Sequence, residues 1–68
     1  MNRTLLLGGP EHGKVYWLGF GILGDLIQYD NKAQYKITYI ATKAEHWHGI
    51  FLIAGDCIAE FVHELDPS

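Results

Sequence analysis

Alternation of apolar and polar residues is clearest in the middle of the chain, over Tyr35–Thr42. Side chains of a β-strand point alternately to opposite faces, so a period of two predicts a strand with one buried face. The two faces are Tyr35, Ile37, Tyr39 and Ala41, and Lys36, Thr38, Ile40 and Thr42. Arg3–Leu7 and Lys14–Phe20 are further runs of β-favouring residues, and the glycine-rich segment between them predicts a hairpin loop.

The segment after this hairpin carries a weaker signal. Gly19, Gly21 and Gly24 interrupt it, and Ile22–Tyr29 fits a strand as well as a single helical turn. Asp30-Asn31 predicts a turn before the alternating strand.

The last third of the chain fits two structures, of which the first is an amphipathic helix. Asp56 would cap the N-terminus of this helix, and Asp66-Pro67 would end it. The apolar residues that recur at helical spacing are Ile58, Phe61, Val62 and Leu65.

The second structure is a β-hairpin of Trp47–Ala54 and Cys57–Leu65. Gly55-Asp56 would form its turn, because a type II′ turn has glycine at its first central position. This register pairs Ala54 with Cys57, Ile50 with Phe61 and His48 with His63. Periodicity alone leaves the choice between helix and hairpin open.

The composition indicates a single domain over residues 1–68 with a dense core. Hydrophobic residues make up 49% of the chain and aromatic residues 13%. Cys57 is the single cysteine, so no internal disulfide can form, and no zinc-finger spacing is present. A chain of 68 residues therefore depends on close packing or on self-association for its stability.

Charge is distributed unevenly along the chain. Residues 1–44 contain five basic and three acidic residues, whereas residues 45–68 contain five acidic residues and no lysine or arginine. An acidic chain without a basic cluster does not suit direct binding to nucleic acid. The apolar stretches are too short to span a bilayer, and the N-terminus does not resemble a signal peptide. We therefore expect a cytoplasmic protein that is not attached to a membrane.

Gly8–Lys14 matches GxxxxGK, the start of a phosphate-binding loop. The next residue should be a serine or threonine that binds Mg²⁺, and it is Val15. Val15-Tyr16-Trp17 also favours a strand where a nucleotide-binding fold needs a helix. We interpret the motif as a hairpin loop.

Gly19–Gly24 matches GxGxxG, the dinucleotide-binding pattern, and Glu45 follows at about the expected distance. That pattern works within a βαβ unit of a larger sheet, for which this chain is too short. We interpret these glycines as positions that allow bends, bulges or close approach of strands.

Candidate metal ligands and nucleophiles are few. His46, His48 and His63 would share one face at the open end of the C-terminal hairpin, where three imidazoles could bind zinc. A His-x-His pair is more often a surface feature, so we predict neither a metal nor a cofactor. Cys57 lies among apolar residues, where a thiol is usually inert, and no catalytic residue is predicted.

Leu5–Val15 runs from an apolar strand through GGPEHG into a second strand, and Phe61–Leu65 reads FVHEL. Both segments, together with the tyrosine-bearing strand Tyr35–Tyr39, resemble short proteins common in bacteriophage genomes. Gly19–Tyr29 has no counterpart in those proteins, and the family is largely uncharacterised, so the resemblance implies phage origin rather than an activity. Its terminal segment is similar to a strand. We therefore expect a mainly β protein, a small antiparallel sheet of four or five strands, with a helix at 57–65 as the alternative.

Aromatic residues are the most informative functional feature, because they exceed what a core of this size can bury. Exposed aromatic side chains commonly form the centres of protein interfaces. We expect a non-enzymatic protein that docks on a host protein, such as a transcription, nucleic-acid-processing or defence factor, and inhibits or redirects it. The expected contact residues are Trp17, Phe20, Tyr29, Trp47, Phe51, Glu60 and Glu64.

Three alternatives remain open at this point. The aromatic residues could fill the core or the interface of a homodimer. The chain could be a virion or assembly accessory protein that adds a strand to a larger partner. It could also bind a nucleotide signal through Gly8–Lys14 at a subunit interface. Homo-oligomerisation is compatible with each function, because self-pairing covers sheet edges.

Overall fold

The computed structural model describes residues 2–18, 21–29 and 33–64. These residues form seven strands: β1 (Asn2–Leu7), β2 (Val15–Leu18), β3 (Leu26–Tyr29), β4 (Ala33–Ile40), β5 (Glu45–Trp47), β6 (Ile50–Leu52) and β7 (Cys57–Glu64). The described residues contain no helix that could span a membrane. The predicted turn at Asp30-Asn31 lies outside them.

Five of the strands form one sheet in the order β2-β1-β7-β4-β3, and β5 and β6 form a separate hairpin. The predicted mainly β architecture is confirmed. The strands of the large sheet pair antiparallel except for β1 and β7, which run parallel and make the sheet mixed. Because β1 and β7 are both interior strands, the N-terminal and C-terminal segments of the fold support each other directly.

The strand expected at the C-terminus is confirmed, because Cys57–Glu64 forms β7, and the alternative helix is not formed. This strand lies between β1 and β4, and three consecutive residues, Cys57, Ile58 and Ala59, are buried. A strand covered on both faces has apolar residues at adjacent positions, so its pattern loses the alternation of a half-buried strand. That loss explains why the spacing of Ile58, Phe61 and Val62 imitated a helix.

The predicted hairpin around Gly55-Asp56 is wrong. β6 turns back onto β5 instead, with Trp47 opposite Ile50 and His46 opposite Phe51. The two residues of the connecting turn, His48 and Gly49, have φ values of +47° and +82°. Left-handed geometry at both central positions is that of a type I′ turn, which matches the twist of the flanking strands. β7 is consequently free to pair with β1 and β4.

The strand predicted at Tyr35–Thr42 is present as β4, but the two predicted faces do not persist along it. Ile37 pairs with Ala59 and Tyr39 with Ile58, so Thr38 is an extra residue in a β-bulge. The bulge shifts the alternation by one position. Tyr35 and Ile37 therefore lie on one face of the sheet, whereas Tyr39 lies on the other.

The core consists of two clusters, one on each face of the sheet. The β5–β6 hairpin covers the second face through Leu52, with Trp47 and Ile50 packed alongside. The buried residues of the first cluster are Leu6, Ala33, Tyr35, Ile37, Cys57 and Ala59. Those of the second are Leu5, Ala41, Leu52 and Ile58. The sheet is thus a central layer between two small apolar cores.

The N-terminal hairpin of β1 and β2 is confirmed, and its loop is fastened to β4. The buried Tyr35 hydroxyl donates to Gly8 O at 2.6 Å and accepts from Glu11 N–H at 2.9 Å. Gly9 has a φ of +66°, and a Cβ added there would lie 2.3 Å from the Phe61 ring. The glycine-rich loop therefore packs closely against β4 and β7. The segment Ile22–Tyr29 supplies the short edge strand β3.

Candidate binding surface

A small cleft lies between β1 and β2 on one side and the β5–β6 hairpin on the other. Its volume is about 30 Å³, and it is open to solvent. Leu5 stands opposite Val15 in the β1–β2 ladder, so both side chains point to the face that the hairpin covers. The residues that line the cleft are Arg3, Leu5, Val15, Ile50, Phe51, Leu52, Asp56 and Cys57.

An ion pair between Arg3 and Asp56 joins the two walls of the cleft. Arg3 Nη2 lies 2.5 Å from Asp56 Oδ2 and also donates to Phe51 O at 3.4 Å. The same carboxylate oxygen accepts from Ile53 N–H at 3.0 Å. Asp56 is buried, whereas the side chain of Arg3 is about 38% exposed. The ion pair thus holds β1 against the segment that links β6 with β7.

The charge state of this pair follows from its contacts. Burial opposes ionisation of Asp56, but hydrogen bonds from Arg3 and Ile53 and the positive charge of Arg3 outweigh it. The pKa of Asp56 is therefore below its usual value. Hydrogen bonding to Asp56 and its negative charge raise the pKa of Arg3. Both groups remain ionised at neutral pH, so the ion pair that joins the two walls of the cleft is maintained.

Two exposed apolar residues, Val15 and Phe51, line the cleft, and two more adjoin its ion pair. Trp17 stands opposite Arg3 in the β1–β2 ladder, and Ile53 follows β6 and bonds to Asp56. We name these four apolar residues the apolar patch: Val15 (51% exposed), Trp17 (63%), Phe51 (52%) and Ile53 (50%). Single exposed apolar residues are normal on proteins, but several at one cleft and its ion pair mark an interaction surface.

The structure brings two of the expected contact residues together, because Trp17 and Phe51 both belong to the apolar patch. Trp47 is only partly exposed, and its ring stacks on Tyr39 with centroids 6.2 Å apart, on the core side of the hairpin. Phe20 lies outside the described residues. Tyr29 is the last residue of β3, and only its backbone is described.

The two expected acidic contacts, Glu60 and Glu64, are exposed on β7. Glu60 stands beside Leu7 and opposite Lys36, and Glu64 stands opposite Ala33. Strand β1 separates them from β2 in the sheet. They therefore lie apart from the cleft and on opposite faces of the sheet, since Glu60 shares the face of Leu7 and Glu64 that of Ala33.

Four residues of the site were missed from the sequence: Val15, Ile53, Arg3 and Asp56. Val15 could have been identified from the sequence. It is apolar and directly follows the turn, at the start of a short edge strand, where one side of the strand is open to solvent. The Arg3–Asp56 pair spans 53 positions, and opposite charges at that separation carry no pairing information in a single sequence. Only the parallel contact of β1 with β7 brings them together.

The three candidate metal ligands are not brought together by the predicted hairpin, since β6 does not pair with β7. His46 makes an edge contact with Phe51, with centroids 5.2 Å apart, and His48 contacts Trp47 at 4.3 Å. The ring of His63 lies 2.9 Å from Glu64 O. Within residues 2–18, 21–29 and 33–64, no group of three or more His, Cys, Asp or Glu side chains could hold a metal ion.

In the loop that matches GxxxxGK, the backbone amides donate hydrogen bonds to groups within the protein. Gly8 N–H donates to His12 Nδ1 at 2.7 Å, and Gly13 N–H donates to Leu6 O at 2.8 Å. Further loop amides that donate within the protein are those of Glu11, His12 and Lys14. A phosphate-binding loop directs such amides at its ligand. These amides are oriented inward, as a hairpin loop requires.

The glycines of the GxGxxG match also serve the fold, as far as they are described. A Cβ added at Gly21 would lie 2.6 Å from Cys57 Sγ, so this segment packs tightly over the core. Gly24 has a φ of +92°, and its N–H donates to Ile37 O at 2.8 Å. The chain continues into β3 and not into a helix. The arrangement that holds a dinucleotide is therefore not formed here.

Cys57 has the environment of a structural thiol. Its side chain is buried in the first core cluster. Burial raises the pKa of this thiol, which lowers the fraction of reactive thiolate at neutral pH.

Comparisons of the chain with known protein families, with curated proteins and with solved structures give no match. The interpretation of the site therefore rests on its own geometry.

Proposed function

We propose that this chain is a protein-binding module that docks on a host protein through the apolar patch and inhibits or redirects that protein. The observation that carries the proposal is a group of four half-exposed apolar residues, of which Val15 and Phe51 line one cleft and Trp17 and Ile53 adjoin its ion pair. The resemblance of both chain ends to short phage proteins supports a host protein as the partner.

Several of the aromatic side chains that exceeded the expected core are buried or stacked in the structure, and fewer remain exposed for binding. Tyr35 is completely buried, and Tyr39 and Trp47 stack between the sheet and the β5–β6 hairpin. These three residues stabilise the fold. Trp17 and Phe51 remain at the surface, each more than half exposed. Tryptophan is one of the residue types that most often dominate the binding energy of an interface.

The area of the two exposed rings is large enough to matter for binding. Trp17 and Phe51 together leave about 200 Å² of mostly apolar surface in water, if a large aromatic side chain has roughly 150–250 Å². Burial of this area contributes about 5 kcal/mol at roughly 25 cal/mol per Å². That amount offsets part of the association cost of ~4–15 kcal/mol. A partner must therefore also contact Val15, Ile53 and the polar rim to bind tightly.

The direct test is affinity capture from bacterial lysate with quantitative mass spectrometry. Wild type is compared with Trp17→Ser and with Leu26→Ser, a control that also removes an exposed apolar side chain but lies at the opposite edge of the sheet. Circular dichroism first establishes that each variant is folded. We expect a host protein that is retained by wild type and Leu26→Ser and is depleted at least tenfold by Trp17→Ser. Equal capture by all three proteins would exclude the apolar patch as the docking surface.

A further inference from the structure

Within the described part of the chain, strand β2 is an edge strand with a single neighbour, β1. In an antiparallel ladder, every second pair of residues exchanges hydrogen bonds, and the residues in between direct their backbone groups away from that neighbour. Leu6 N–H donates to Lys14 O at 2.9 Å, and the same ladder pairs Thr4 with Tyr16. Tyr16 thus faces β1. The backbone N–H and C=O groups of Val15 and Trp17 therefore point outward, to the open edge.

The exposed charges next to this edge are positive. Lys14 directly precedes β2 and has a side chain that is 58% exposed, and Arg3 lies beside Trp17. Both cations pair with carboxylates, but those of Glu11 and Asp56 are buried, with side chains 6% and 4% exposed. An approaching chain therefore meets the cationic groups before the anionic ones. This cationic rim stands out on a chain with a net charge of −3.

We propose that the partner supplies an extended segment of alternating apolar and acidic residues, which adds to the sheet as a sixth strand beside β2. Backbone groups of Val15 and Trp17 would form the new ladder, and their side chains would pack against the apolar residues of the segment. Acidic residues of the segment would point to the other face of the sheet, where Lys14 lies in register with Leu6. The proposal rests on the proposed function, since it specifies how the partner engages the apolar patch.

Charge distinguishes this partner from a second copy of the chain. Two β2 strands can pair around a two-fold axis with Val15 opposite Trp17 of the other copy, which also satisfies the outward backbone groups. That arrangement places Lys14 opposite Leu18 of the other copy, so the exposed ammonium gains no negative charge from the pairing. An acidic segment supplies that charge.

The other edge strand, β3, does not offer the same combination. It is preceded by Asp25, which is exposed, and its backbone begins pairing with β4 through the bond from Ile37 N–H to Asp25 O at 2.9 Å. The same alternation directs Leu26 and Gln28 outward, so β3 presents one apolar and one polar residue beside an acidic one. Strand β3 therefore serves as the matched control edge.

The test measures binding of a nine-residue capped peptide of alternating valine and glutamate to the full chain by ¹⁵N NMR titration. A second peptide carries lysine in place of glutamate, and a third carries N-methyl groups on the amides of one edge, which blocks ladder formation but keeps the side chains. Val15→Pro removes one outward N–H of β2, and Gln28→Pro removes the equivalent group of β3. Edge positions with outward N–H groups tolerate proline.

We expect the valine–glutamate peptide to cause chemical-shift changes centred on residues 15–18 of wild type. The dissociation constant should be at least tenfold higher for the lysine peptide and for the N-methylated peptide. It should rise by the same factor when the valine–glutamate peptide is titrated into Val15→Pro. The Gln28→Pro variant should bind within twofold of wild type. Equal affinity for the N-methylated peptide overturns strand addition, and so does a wild-type dimer in sedimentation that Val15→Pro dissociates. If Trp17→Ser abolishes capture of a host protein while no peptide binds, the proposed function stands and strand addition is wrong.

Discussion

The guanidinium of Arg3 in β1 and the carboxylate of Asp56, immediately before β7, are joined by an ion pair that organises the candidate surface. Asp56 also accepts from Ile53 N–H, and Arg3 also donates to Phe51 O. The pair therefore holds the hairpin side of the apolar patch against the strand side. Because the patch consists of residues from two separate segments, β2 and the end of the β5–β6 hairpin, its shape depends on this connection.

Asp56→Asn should destabilise the protein by about 1–2 kcal/mol at pH 7, because it removes the charge that pairs with Arg3 and keeps the side-chain oxygen that accepts from Ile53. The expected cost is below that of a fully buried pair, since solvent screens the exposed part of Arg3. Urea denaturation at pH 7 measures the difference. An unchanged free energy of unfolding would show that the ion pair does not contribute.

The stability difference between wild type and Asp56→Asn should depend on pH. The pKa of Asp56 is lowered in the folded state, so its contribution is complete above the unfolded value of about 3.9 and is lost as the pH falls through the folded value. The stability gap between wild type and Asp56→Asn should therefore be constant from about pH 5 to 7 and should narrow below about pH 4. A gap that widens on acidification would contradict this assignment.

Tyr35→Phe tests the connection between the glycine-rich loop and β4. The hydroxyl of Tyr35 is completely buried and bridges Gly8 O and Glu11 N–H, so its removal leaves a buried donor and acceptor without their partner. We expect a loss of about 1–3 kcal/mol in the free energy of unfolding. Tyr16→Phe is the control, because the part-buried Tyr16 hydroxyl lies 3.3 Å from Glu11 Oε2, and the expected loss is below about 1 kcal/mol. Equal losses would show that the Tyr35 bridge has no special role.

Gly9→Ala and Gly13→Ala separate backbone strain from close packing in the same loop. Both glycines have positive φ, but only at Gly9 would a Cβ collide with the Phe61 ring, whereas nothing lies within 4 Å of a Cβ at Gly13. We expect Gly13→Ala to cost about 1–2 kcal/mol, the penalty of left-handed geometry alone. Gly9→Ala should cost more by at least about 1 kcal/mol, since Phe61 must move. Thermal and urea denaturation compare the two, and similar costs would contradict the packing of Gly9 against Phe61.

Strands with a clear local signal could be predicted from the sequence, whereas the pairing of β7 could not. β4 and the β1–β2 hairpin follow from alternation and from the glycine-rich loop. β7 lacks alternation at Cys57–Ala59 because apolar residues cover both of its faces, and the bulge at Thr38 moved Tyr39 to the other face. The pairing partners of β7 were wrong because the turn that mattered was His48-Gly49, and a histidine with positive φ carries little sequence signal.

The candidate site could be predicted only in part. Exposed aromatic residues pointed to Trp17 and Phe51, and the structure places Phe51 in the lining of the cleft and Trp17 opposite Arg3 at its edge. The same criterion selected Trp47, because composition does not distinguish a ring stacked on Tyr39 from one facing solvent. The parallel contact of β1 with β7, which positions Arg3 beside Asp56, is a long-range pairing that no local pattern encodes.

Site-specific photo-crosslinking in host cells tests the docking role of the apolar patch most directly. A p-benzoylphenylalanine is incorporated at position 17 or, as a control, at position 26, another exposed apolar position on the opposite edge of the sheet. We predict a discrete crosslink from position 17 to one host protein, and none to that protein from position 26. Crosslinks from position 17 only to a second copy of this chain, or equal crosslinks from both positions, would contradict docking through the patch.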